Sequence, residues 1–204
     1  MIEEGHIVMA KKKRNELWII TGAAGTGKNT VSEYLYTQYG IPRVLTHTTR
    51  PPRAGEKDGV SYYFETPESF AQKHLIEQVT YDGHQYGSSR EALQKAWATH
   101  RIVSLVLDTE GAKSYIRTFG DHIFLLFITV HHPDSLRQRM IDRGDAPVAV
   151  EARLHSPEYR RDLKLPAELA PVAHIIHNDT WVEAKQEIDR LLKQEAIRMA
   201  AEEF

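Results

Sequence analysis

The chain has 204 residues, no cysteine and a hydrophobic share of 41%, which suits one globular unit with a real core and excludes wholesale disorder, disulfides and thiolate metal sites. Its 26 basic and 28 acidic residues leave a net charge of −2. They are spread along the chain, so nucleic acid and membrane are not expected as partners, and an anionic ligand must be held by local basic groups.

Residues 1–14 join a weak apolar patch to Lys11, Lys12, Lys13 and Arg14. The charges follow the patch, the reverse of a signal peptide, so the segment reads as a solvated N-terminal extension of a cytoplasmic protein. Leu17-Trp18-Ile19-Ile20 is a short apolar run ending at a glycine-rich turn, as a buried parallel strand does. A helical pattern covers 28–39, with Val31, Tyr34 and Leu35 on one side and Gly40 closing it. From 46 to 64, threonines, prolines, glycines and aromatics alternate in short stretches, which predicts a small β-rich insert. A short helix is expected within 65–75, and Tyr81-Asp82-Gly83 marks a turn.

The runs 102–107 and 123–130 read as strands covered on both faces, with helices over 89–100 and 110–117 flanking the first. The second run is the longest apolar stretch and is too short to span a bilayer. A helix with proline near its start is expected over 133–143. Residues 144–170 are polar, arginine-rich and broken by three prolines, hence a candidate mobile segment. A last strand at 173–176 precedes a long amphipathic helix over 180–202, capped by Thr180. Strands alternating with helices predict an α/β fold with a parallel sheet.

Gly22-Ala23-Ala24-Gly25-Thr26-Gly27-Lys28-Asn29-Thr30 follows the first strand and opens the first helix, the setting of a phosphate-binding loop for ATP. The glycines let backbone N–H groups turn around an oxyanion, and the helix N-terminus adds partial positive charge. Lys28 is expected to reach the β- and γ-phosphates. The next position normally carries the Ser or Thr that ligates Mg²⁺. Asn29 stands there instead, with a carboxamide oxygen that accepts a metal or a metal-bound water at a different length and geometry. Mg²⁺ arriving with ATP is the expected cofactor, and Asn29 its candidate ligand.

Further on, Thr46-His47-Thr48-Thr49-Arg50-Pro51-Pro52-Arg53-Ala54-Gly55-Glu56 leads through Asp58-Gly59 to Tyr62-Tyr63-Phe64. Two arginines three apart, stiffened by prolines, make a clamp for a doubly charged phosphate, and Tyr62 adds a neutral donor. Taken alone, the same stretch also describes an exposed basic turn. Behind a phosphate loop it resembles the guanylate kinase family, in which a T-T-R-x-P-R-x-G-E element and Y-x-F follow that loop. In the family a Glu then precedes a G-x-x-Y-G-S/T turn, here Glu77 and Gly83-His84-Gln85-Tyr86-Gly87-Ser88. The likeness runs from about residue 17 into the C-terminal helix.

The resemblance implies a three-layer P-loop core with a parallel sheet, built from 15–45, 91–132 and 166–204. It implies a GMP-binding insert at 46–90, an arginine-bearing lid at 133–165, and ATP-dependent phosphorylation of GMP to GDP. It places Arg50, Arg53, Tyr62 and Tyr86 on the GMP phosphate, and Glu77, Ser88 and Thr46 on the guanine edge. A carboxylate accepts from the ring N–H and exocyclic amine that adenine cannot offer together. Adenine there would leave Glu77 desolvated and unpaired, at about 1–3 kcal/mol or more. Asp108 closes the strand 102–107 where the family shows D-x-D-x-x-G, and Val106 replaces the first aspartate. Two roles stay open for Asp108: contact with the guanine or a water of the metal shell, or a cap on the next helix.

Arg139, Arg143 and Arg153 match the family's lid arginines, in R-x-x-x-R-G followed by R-L. Closing from a lid, they would align donor and acceptor and stabilise the migrating charge. Arg137, Arg160 and Arg161 read as solvated. Asn178-Asp179 resembles the family's element near the adenine pocket. The eleven histidines show no metal-ligand pattern. Two other readings are weighed. Related kinases of ribose 1,5-bisphosphate can carry an acidic residue after the loop lysine, and silent GMP- or protein-binding modules lose that lysine or the lid arginines. Retention of Lys28, the three lid arginines and the acceptor element favours the GMP kinase.

Overall fold

The structure is a computed structural model that describes residues 14–53, 55–81 and 83–201. The expected extension lies outside the described residues but for Arg14, as do Ala54, Asp82 and Glu202. In chain order the core opens with β1 (Glu16–Thr21) and α1 (Lys28–Tyr39). A second unit follows with β2 (His47–Thr48), β3 (Tyr63–Phe64), α2 (Pro67–Ala71), β4 (Leu75–Tyr81) and β5 (His84–Ser89). The core resumes with α3 (Arg90–Trp97), β6 (Ile102–Val106), α4 (Thr109–Phe119) and β7 (Ile123–Thr129). Three short helices come next, α5 (Ser135–Asp142), α6 (Pro147–His155) and α7 (Pro157–Asp162), then β8 (Ala173–His177) and α8 (Trp181–Ala201).

The core sheet has the order β6-β1-β7-β8, and every pairing in it is parallel. All six residues of β1 are buried, because its alternating side chains enter two different layers. Trp18 and Ile20 pack with Val31 and Leu35 of α1 and with Ala184, Ile188 and Leu191 of α8. Leu17 and Ile19 pack on the other face with Leu93 of α3 and Ala112 and Tyr115 of α4. Three layers result. Beyond β6 the chain adds one more extended contact: Ser104 N–H donates to the Pro42 carbonyl and Val44 N–H to Ser104, at 2.8 and 2.7 Å. Pro42 has no N–H, but at a sheet edge its carbonyl suffices.

The second sheet, β3-β2-β5-β4, is mostly antiparallel. The β-rich character was expected over 46–64, yet β2 and β3 are two residues each. Most of the strand lies in the β4–β5 hairpin, where half-exposed polar residues blur the alternation. At the turn Gly83 takes φ +73, a conformation that favours glycine.

The segment 144–170, expected as a candidate mobile segment broken by prolines, is largely helical. It holds α6 and α7, and each begins with a proline, Pro147 and Pro157. Proline at the first helical position lacks only an N–H that has no intrahelical partner, so these prolines start helices. Ser156 caps α7 by accepting from Tyr159 N–H at 3.2 Å. Val150 and Tyr159 then pack with Leu136 and Met140 of α5 against Ala23 of the glycine-rich loop. Among the described residues no helix is long and apolar enough to cross a membrane.

Candidate active site

The loop at 22–27 connects β1 to α1 at one end of the parallel sheet. At Gly22, φ is +131 and an added Cβ would lie 2.1 Å from the Ile128 carbonyl oxygen. At Gly27, φ is +98 and the Cβ would meet Asn178 Nδ2 at 2.4 Å. Neither position admits a side chain. No side chain caps α1 and its first turn carries no acidic residue, so its leading N–H groups suit an anion. Lys28 Nζ donates back to the carbonyls of Gly22 and Ala23 at 2.7 and 2.9 Å. Burial pushes the Lys28 pKa down to about 8, against the opposing pull of Asp162. Thr26 Oγ1 also bonds Ala23 O, at 2.9 Å. Ala24 and Gly25 are half-buried, and Asn29 and Thr30 are exposed.

Asn178 supports this loop from behind. It is buried, and its Nδ2 donates to Thr26 O at 2.8 Å. Arg139 donates to the carbonyls of Asn178 and Asp179 at 2.7 and 2.8 Å. The structure therefore joins Asn178, expected at the adenine, to the phosphate loop and to the first lid arginine. The other two, Arg143 and Arg153, meet on Asp145 at 2.5 and 3.5 Å. Both still act on Lys28, lowering its pKa further. The three arginines are thus divided, with one on a backbone and two on a carboxylate.

In the segment 50–62 Glu56 is the organiser, a role not read from the sequence. Its carboxylate accepts from Arg50 Nη2 at 2.9 Å and from Arg53 N–H at 2.7 Å. The Arg50 guanidinium lies 5.7 Å from the Tyr62 ring centre, and Tyr62 meets Tyr86 edge-on at 6.4 Å. Arg50, Tyr62 and Tyr86 are brought together, while the Arg53 side chain stays exposed. Thr46 lines a narrow cleft with Asn29, Tyr62 and Val106, not the cavity that holds Glu77.

That cavity, about 280 Å³, lies between β4, the N-terminal end of α4 and α7. Glu77 Oε1 accepts from Ser88 Oγ at 2.7 Å, and Ser88 Oγ accepts from the fully buried Tyr115 hydroxyl at 2.8 Å. The carboxylate is oriented by two hydroxyls in series. Burial pushes its pKa up to about 7, and the negative charge of Asp108 acts in the same direction. Gly111 leaves the space: a Cβ there would come within 3.3 Å of Glu77 Oε2. Of the two roles left open for Asp108, the structure shows the helix cap. Its Oδ1 caps α4 by accepting from Gly111 N–H at 2.7 Å, and the residue also lines the cavity beside Glu77.

Arg161 was expected to be solvated, and the structure places it otherwise. It lines the same cavity and donates to Asp108 Oδ2 at 2.9 Å and to Asp162 Oδ1 at 2.8 Å. Arg160 is exposed, and Arg137 is exposed with Glu151 as its partner, in line with the solvated reading. The one signal in the sequence was Asp162 within an arginine-rich stretch. Tyr115, which reads as an ordinary core aromatic, gave none.

Fold and site together define a mixed α/β protein whose parallel sheet presents a glycine-rich loop, with arginine-bearing helices and a small second sheet beside it. The family model for guanylate kinase matches residues 14–195, and the chain belongs to the guanylate kinase family. It is 30% identical over 194 residues to a guanylate kinase of Thermus thermophilus, covering 92% of this chain and 84% of that one. It is 35% identical over 144 residues to one from a Polaromonas species, covering 68% and 69%. The crystal structure of guanylate kinase from Anaplasma phagocytophilum shares the fold, with a TM-score of 0.61 and 20% identity over 90% of this chain and 87% of that one.

Proposed function

We propose that this protein transfers the γ-phosphoryl group of ATP to GMP, giving ADP and GDP. The observation that carries the reading is the Tyr115–Ser88–Glu77 series at the edge of the cavity. An ionised carboxylate only accepts, with room for about four hydrogen bonds, and Ser88 fills part of that capacity through its hydroxyl and its backbone. The remaining capacity suits the adjacent N1–H and N2–H₂ donors of guanine. Adenine offers an acceptor at N1 and no 2-amino group, so it would leave a partly buried carboxylate unpaired.

Phosphoryl transfer needs alignment and charge stabilisation more than covalent help. Arg50, Tyr62 and Tyr86 would hold the acceptor phosphate, with Glu56 keeping the guanidinium in place until it arrives. The loop N–H groups and Lys28 would hold the donor phosphates, Lys28 exchanging its two carbonyl partners for phosphate oxygens. Arg143 and Arg153, now on Asp145, are the charges free to turn toward the phosphates when both substrates are present.

Mg²⁺ belongs to the same proposal. The cleft at Asn29 is faced by Val106, and among the described residues no group of three His, Cys, Asp or Glu could hold a metal ion. That donor set fits an ion carried on the ATP phosphates, with Asn29 touching the ion or one of its waters. Bound there, the ion would offset phosphate charge. The test is ADP formation from ATP and Mg²⁺ with GMP, AMP, CMP, UMP and ribose 1,5-bisphosphate offered separately. Turnover confined to GMP is expected. Turnover with the sugar phosphate alone would sink the guanine reading, and none with any acceptor would point to a silent binding module.

A further inference from the structure

Arg161 lies on α7, yet it takes part in the cavity around Glu77. Besides its bond to Asp108, it binds Asp162, which is only 6% exposed. Asp162 also accepts from the N–H and hydroxyl of Thr109, the first residue of α4, at 3.3 and 2.5 Å. One guanidinium thus ties two carboxylates and joins a lid helix to the start of α4. The groups facing Glu77 are Asp108 and Glu110 at the head of α4, Arg161 from α7, and Tyr115 through Ser88. The Asp108 and Glu77 carboxylates in one cavity repel each other, and the charge of Asp108 opposes ionisation of Glu77. A guanidinium on Asp108 offsets that repulsion with fixed geometry and permanent charge.

Resting on the GMP reading, we propose that Arg161 is a positioning and specificity-determining residue of the acceptor-base pocket. It neutralises Asp108 so that Glu77 can ionise against guanine, and it makes α7 a wall of that pocket. The lid helices then contribute to choice of base as well as to phosphate chemistry.

The experiment measures KM for GMP and for ATP, the GMP-to-AMP preference and the pH dependence of KM for GMP. The proteins are the unaltered chain, Arg161→Gln and Arg161→Lys, each checked by thermal melting. Arg161→Gln is expected to raise KM for GMP roughly ten-fold, leave KM for ATP within about two-fold, and lower the GMP preference. The pH at which GMP binding improves should move upward, because the Arg161 charge no longer offsets that of Asp108 beside Glu77. Arg161→Lys, which keeps the charge and loses the fork, should restore the pH position and only part of the KM. An unmoved pH position overturns the proposal, whether KM for GMP is unchanged or both KM values rise together as loss of a helix anchor would cause. If Arg161→Gln does not fold, Arg161→Lys decides: KM for GMP unchanged overturns the proposal, and a selective rise supports it. Absence of GMP turnover in the unaltered protein overturns the acceptor reading and this inference together. An active protein indifferent to both substitutions overturns the inference alone.

Discussion

Glu77→Gln keeps the size of the side chain and removes the ionisable group, so it separates base selection from packing. In the ligand-free pocket the Glu77 pKa is raised from 4.5 to about 7, chiefly by burial. At about 1.4 kcal/mol per unit, the ionised carboxylate costs about 3 kcal/mol there. An acid whose folded pKa lies above its unfolded value favours the fold below the unfolded value, and that contribution is lost as pH rises through the folded one. Unaltered protein should therefore lose up to about 3 kcal/mol of stability between pH 4.5 and somewhat above 7 through this group, and Glu77→Gln should not. Glutamine also turns an N–H₂ toward the donors of guanine, which costs about 2 kcal/mol, or roughly thirty-fold in GMP-to-AMP preference. Denaturant melts at acid and alkaline pH and the ratio of kcat/KM for GMP and AMP read the two effects. A preference unchanged by the substitution would refute this account of base reading. Equal pH dependence of stability in the two proteins would refute the buried-carboxylate argument.

Tyr115→Phe removes the hydroxyl behind Ser88 and should cost about 1 kcal/mol, seen as a several-fold rise in KM for GMP with KM for ATP unchanged in steady-state assays. Asp145→Asn releases Arg143 and Arg153 from their shared partner, so KM for ATP should fall by a few-fold in the same assays, by about the worth of an exposed pair. For the donor side, Lys28 loses its charge as pH rises through about 8. The kcat/KM for ATP should therefore decline above that value, while kcat/KM for GMP rises through about 7 as Glu77 ionises; pH–rate profiles at limiting ATP and at limiting GMP test the pair.

The parts of this protein that are legible in sequence are those whose chemistry sits in the backbone or in short spacing. The loop from Gly22 to Thr30 is one, since Gly22 and Gly27 are demanded by close approach to Ile128 and Asn178. The buried strands are another, because near-continuous apolar runs admit few other settings, and expected helix bounds fall within a few residues of those observed. What was hidden depends on tertiary partners. The β4–β5 hairpin carries polar residues on a half-exposed sheet, so its alternation is weak. The prolines at 147 and 157 look like breakers until each is seen to open a helix. Arg161 differs from Arg160 only in which face of α7 it occupies, and its partners Asp108 and Asp162 are 53 residues and one residue away in sequence. Tyr115 acquires a role only because Ser88 lies across from it.

The most direct measurement is product analysis of a reaction containing ATP, Mg²⁺ and GMP, run with the unaltered protein and with Lys28→Met. GDP and ADP should form in equal amounts with the unaltered protein. With Lys28→Met neither should form, while the protein keeps its fold and still binds GMP. ADP without GDP, or full activity in Lys28→Met, would contradict transfer of the ATP phosphoryl group to GMP at this loop.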